Sequence, residues 1–141
     1  MRYLDIICEQ APSGKVVSTS MLVKRYGGSF LPYAQLPEPA QKALTRWMVY
    51  EGENTHYKRS SYGYVEVPID DLMKIIWNQN GFDDGVSFEE FWGKPSGMNP
   101  KVFNEVWPLI WSSQGWEDGM HRLGHYRKLG LKMIPVVGSR R

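Results

Sequence analysis

Apolar residues recur at helical spacing in Ala40, Ala43, Leu44, Trp47 and Met48. Pro37-Glu38-Pro39 opens the amphipathic core helix that they predict. Ser18 or Ser20 is placed to cap a shorter helix running to Tyr26, with Gly27-Gly28 to end it. Further on, Tyr64-Val65-Glu66-Val67 alternates as a strand does, and Pro68 ends it. Asp70 precedes a helix carrying Leu72, Met73, Ile75, Ile76 and Trp77, and Asn78 to Gly85 reads as a loop. Ser87 and Glu90 have capping-box spacing. Asn99-Pro100 begins another short helix.

The last third is the better punctuated part. Trp107-Pro108-Leu109-Ile110-Trp111 predicts a buried strand, Ser112 to Gly115 a turn, and Trp116-Glu117 a second hairpin strand. A helix from Gly119 to Leu129 has Leu123, Tyr126 and Leu129 for its core side, Gly130 stops it, and Met133 to Val137 closes as a strand. Tyr3 to Cys8 adds a strand at the start, before a turn at Ala11-Pro12-Ser13-Gly14, and 52–63 reads as a polar, exposed stretch. This order of elements predicts an α+β fold.

The length of 141 residues and the apolar fraction of 42% fit one domain with a real core. The single cysteine, Cys8, excludes an intrachain disulfide and a cysteine-based zinc site within one chain. With no signal-like start and no apolar run long enough for a bilayer, the expected setting is cytoplasmic, with no membrane. Net charge is +2 but unevenly placed: +3 over residues 1–65, −7 over 66–118 and +6 over 119–141, where no acid occurs. The basic segment 119–141 suits phosphate or nucleic acid; it equally suits pairing with the acidic middle of the same fold.

The chemistry concentrates in Trp116-Glu117-Asp118-Gly119-Met120-His121-Arg122. A helix start carries free N–H groups and the positive end of the backbone dipole. Gly119 lets that backbone approach a ligand, and His121 and Arg122 add donors, so the segment is a candidate phosphate site. Asp118, Glu117 and Glu66 are the candidate bases, with Asp118 also the candidate metal ligand. Arg122 either forks onto phosphate oxygens or pairs with Asp118 or Glu117 and fixes the turn. His121 and His125 share a helix face, but Arg122 stands where a zinc-protease helix needs glutamate. Trp116, beside the box, is the stacking candidate; Trp77 and Trp107 are assigned to the core.

From residue 64 to about 138 the chain resembles the ParB/sulfiredoxin superfamily. Val65-Glu66-Val67-Pro68-Ile69-Asp70-Asp71-Leu72 is similar to its opening strand, and Pro108-Leu109-Ile110-Trp111 to its apolar strand. Asp118-Gly119-Met120-His121-Arg122, with Tyr126, Leu129-Gly130 and Ile134-Pro135-Val136, is similar to its "DGxHRxxAxxxLGxxxIPV" box. The resemblance implies a small mixed sheet flanked by helices over 64–141. Residues 1–63, outside the resemblance, are expected to form a strand-plus-helices extension packed on the same domain.

The resemblance also implies nucleotide phosphate bound by Gly119, Met120, His121 and Arg122, with magnesium at Asp118. The cofactors expected are Mg2+ and a nucleoside triphosphate or diphosphate. The activity expected is nucleotide-dependent phosphoryl transfer or nucleotide hydrolysis. The alternative is a non-catalytic module that binds nucleic acid or a protein. Met120 stands where sulfiredoxins carry their nucleophilic cysteine, so that activity is not expected. The sequence ends soon after the last predicted strand, so the helix-turn-helix region of partition proteins is not expected either.

Overall fold

A computed structural model describes residues 16–52, 56–84, 87–92 and 105–140, with the side chains of 80–84, 90 and 91 left aside. The elements predicted at 3–8, 11–14 and 99–100 lie outside the described residues.

Helix α1 (Thr19–Tyr26) starts where the Ser18 hydroxyl accepts the Met21 N–H at 3.3 Å, and Gly27 ends it at φ +75°. Strand β1 (Ser29–Pro32) leads through a 3-10 turn (Tyr33–Gln35) to α2 (Glu38–Tyr50). A second 3-10 turn (His56–Arg59) precedes β2 (Ser61–Pro68). Then follow α3 (Ile69–Asp84), α4 (Phe88–Trp92), β3 (Leu109–Ser112), β4 (Gly115–Asp118), α5 (Met120–Lys128) and β5 (Met133–Ser139).

The fold is α+β. The five strands form one mixed sheet in the order β1-β2-β5-β3-β4. β2 pairs antiparallel with both β1 and β5, and β3 runs parallel to β5 and antiparallel to β4. Strand alternation sends Val65, Val67, Leu109, Trp111, Ile134 and Val136 to one face, under Leu22 and Val23 of α1, Leu72, Met73, Ile75 and Ile76 of α3, and Leu123 and Tyr126 of α5. Tyr62, Ile110 and Val137 point to the other face, beneath Ala40, Ala43 and Leu44 of α2.

Three expectations change. The strand expected from Tyr64 begins at Ser61, and within the stretch read as exposed Tyr57, Tyr62 and Gly63 are buried. The extra length comes from pairing with β1: Tyr62 lies opposite Leu31 and Ser61 opposite Pro32. The boundary drawn at 63/64 therefore falls inside β2.

The segment read as a loop from Asn78 stays helical to Asp84. Asn78 is buried and donates its amide to the Lys74 carbonyl at 3.0 Å, one turn back, so its polar group does not break the helix. Gln79 binds both backbone groups of Trp116, accepting its N–H at 2.9 Å and donating to its carbonyl at 3.1 Å. Finally, Leu129, assigned to the core side of α5, is 62% exposed, because the helix ends at Lys128 and Gly130 (φ +80°) turns the chain away.

Helix α1 rests on a pair of facing glycines, Gly63 of β2 and Gly138 of β5. A Cβ on Gly63 would lie 2.7 Å from Thr19 Cγ2, and one on Gly138 would lie 2.7 Å from both Cβ and the carbonyl oxygen of Trp111 and would also strike the Thr19 hydroxyl. Gly138→Ala is thus expected to destabilise the protein by about 1–3 kcal/mol through overpacking. Urea denaturation checks it: the midpoint falls while the slope is unchanged.

Candidate functional site

The hairpin that leads into α5 is irregular. Trp111 pairs with Trp116 but Ile110 pairs with Asp118, so Glu117 is the extra residue of a β-bulge. The two acids that stand side by side in the sequence have different partners. Glu117 accepts a hydrogen bond from the Ser112 hydroxyl at 2.7 Å and lines a hollow beneath α2. Asp118 meets Arg122 at 3.5 Å, the outer limit of such a contact.

Gly119 caps the helix at φ +114° and, being glycine, makes no side-chain cap hydrogen bond. A Cβ at Gly119 would lie 3.0 Å from Arg122 Nη2 and 3.0 Å from Leu109 Cγ. This glycine therefore makes room for the arginine to fold back beneath its own helix start, besides supplying the left-handed turn.

Arg122 is only 8% exposed. Its Nη2 donates to the Pro108 carbonyl at 2.9 Å and its Nη1 reaches Asp118, while its Nε is buried without a partner among the described residues. Burial lowers the pKa of the guanidinium, Asp118 and Tyr126 oppose that shift, and Arg46 of α2 adds to it. The contacts to Asp118 and Pro108 are those of the turn-fixing role, which a phosphate contact does not exclude.

One helical turn on, Tyr126 grips the neighbouring residue. Its hydroxyl accepts the Trp107 N–H at 2.9 Å and donates to the Trp107 carbonyl at 3.2 Å. Burial raises the phenol's pKa, against the Trp107 hydrogen bond and Arg122, which lower it.

The other predicted site residues separate into two groups. His121 is exposed in the first turn of α5, and Met120 is half-buried and packs against the core. These two, with Gly119, Arg122 and Asp118, come together at the helix start.

Glu66 does not join them. It is exposed on β2 opposite Pro135. β2 and β4 are three strand spacings apart in the sheet, about 14 Å. Trp116, the stacking candidate, pairs with Trp111 and packs against the core with its indole N–H buried. Trp107, assigned to the core by sequence, packs against the cluster under α2 and also borders an open trough of about 610 Å3 with Tyr33, Thr45, Arg46 and Val49. Trp107, which borders the trough, precedes the Pro108 carbonyl that Arg122 binds.

Among the described residues no group of three or more His, Cys, Asp or Glu side chains is placed to hold a metal ion. Asp118, half-exposed, fits the minimal magnesium arrangement, in which one carboxylate joins ligand phosphate oxygens. Among the described residues no helix is long and apolar enough to cross a membrane. Compared with protein-family models, curated proteins and solved structures, the chain finds no match.

Two outcomes test this arrangement. Arg122→Lys, which cannot span Asp118 and Pro108 together, is expected to cost about 3 kcal/mol, and Asp118→Asn less than about 1 kcal/mol because that carboxylate is half in solvent. Chemical denaturation of both variants reads the ordering.

The raised pKa of Tyr126 means that the folded state favours the neutral phenol. Its contribution is intact below the unfolded value of about 10 and is lost as pH rises through the higher folded value. Stability is therefore expected to fall in alkali, less steeply in Tyr126→Phe, as followed by tyrosinate absorbance and denaturation against pH.

Proposed function

We propose that the chain binds the phosphates of a nucleotide at the start of α5 and uses magnesium there to transfer or hydrolyse the terminal phosphoryl group. The observation that carries this reading is a helix start whose N-cap is a glycine in a left-handed turn. Gly119 provides no side-chain cap, and His121 stands exposed in the first turn of the helix. First-turn amides have no partner within a helix, and an anion is the natural partner for them.

Arg122 supports the turn from below. Its long contact to Asp118 leaves a phosphate oxygen able to compete for Nη1. Arg46 adds a second guanidinium nearby. The trough bounded by Trp107 and Tyr33 has a size suited to a nucleoside. The resemblance of residues 118–136 to the ParB/sulfiredoxin box points the same way. In this reading Asp118 holds magnesium or receives the proton of the attacking hydroxyl. Glu66 takes no part.

A thermal-shift screen of nucleoside tri- and diphosphates, with and without magnesium, tests the proposal. A saturable rise in melting temperature is expected with at least one of them, reduced in His121→Ala. Asp118→Asn is expected to bind and not turn over. If no nucleotide shifts the transition, the reading is wrong.

A second reading rests on Arg127, Lys128 and Lys132, which are exposed beyond the middle of α5 and make no ion pair with a described residue. They suit a nucleic-acid backbone, and binding through them would weaken steeply with added salt.

A further inference from the structure

On the face of the sheet opposite α5, a separate hollow of about 200 Å3 lies between α2 and the ends of β3, β4 and β5. Its volume is about that of seven bulk waters. The carboxylates of Glu51 and Glu117, the hydroxyls of Ser112 and Ser139, the Trp47 indole and the Met48 thioether border it. Among the described residues no lysine, arginine or histidine lines it.

Two features show that its walls are held in place. The Ser112 hydroxyl accepts the Gln114 N–H at 3.0 Å and donates to Glu117 Oε1 at 2.7 Å. That orients the carboxylate and leaves Glu117 Oε2 with no partner among the described residues. The Trp47 ring is stacked on Tyr50, with centroids 5.6 Å apart and planes 26° from parallel.

A half-buried carboxylate without a cation among the described residues, lining the same small hollow as a tryptophan and a methionine, has a specific complement. The charge attracts a cation, the indole face favours one, and the thioether and Ile110 accept a short hydrocarbon body. The geometry points to a binding site for a small organic ammonium ion, with its head at Glu117 and its apolar body against Trp47 and Met48. The site is independent of nucleotide binding at α5. The bulge that creates it is the same one that starts that helix.

The test is titration of the full chain, without nucleotide and in physiological salt, with butylammonium chloride and with butanol as its neutral counterpart. Tryptophan fluorescence and the Trp47 indole N–H resonance are the readouts. Butylammonium is expected to saturate and butanol to bind at least tenfold more weakly. Glu117→Gln, which keeps the Ser112 hydrogen bond, is expected to weaken butylammonium about tenfold, since a hydrogen bond to a charged group is at stake. Glu89→Gln, on α4, is expected to leave it unchanged. Equal binding of butanol and butylammonium overturns the assignment. So does unaltered affinity in a Glu117→Gln protein whose circular dichroism matches the parent, or an equal loss in Glu89→Gln.

Discussion

Helix α5 holds the backbone of Trp107 and Pro108 with two side chains one turn apart, and the geometry of the C-terminal half follows from that grip. Tyr126 satisfies both the N–H and the carbonyl of Trp107, and Arg122 satisfies the carbonyl of Pro108. Proline supplies no N–H of its own, so the segment entering β3 has few backbone partners available. Taking a guanidinium out of water is costly, and the cost is met only in part: Nε stays unpaired and the Asp118 contact is long. The interaction therefore serves position more than stability. It sets where β3 enters beside β5, and it anchors the start of α5 at the end of β4.

The β-bulge in the hairpin is the complementary constraint. One extra residue, Glu117, stands between the paired Trp116 and Asp118, and the two acids take different partners. Asp118 turns toward the arginine at the helix start. Glu117 lines the space under α2. Helix α2 lines both hollows, through Trp47 in one and Arg46 in the other.

The N-terminal half is built into the same sheet. β1 lengthens β2 beyond the stretch that alternation alone marks, and α1 lies on the facing glycines Gly63 and Gly138. Tyr57 is buried in a stretch whose residues are mostly polar, because its ring packs edge-on against Tyr33 at 5.6 Å and its carbonyl accepts the Tyr62 hydroxyl at 2.7 Å.

Local signals in the sequence determined what depends on neighbours a few residues apart. Ser18 and Gly27 bounded α1, Pro37 and Pro39 opened α2, and the 112–115 turn, the Gly119 helix start and the Gly130 stop were all legible, because caps, turns and periodicity act over one or two turns of chain. The candidate site was legible as a cluster for the same reason: Asp118, Gly119, His121 and Arg122 are contiguous. Only the tertiary structure decided which way each side chain faces. Arg122 turns inward because Pro108, fourteen residues earlier, offers an unpaired carbonyl. Trp116 packs into the core because its register with Trp111 selects that face. Asn78 and Gln79 continue a helix because their polar groups find partners at Lys74 and Trp116. Those choices rest on hydrogen bonds and packing between segments far apart in the chain, which no local pattern encodes.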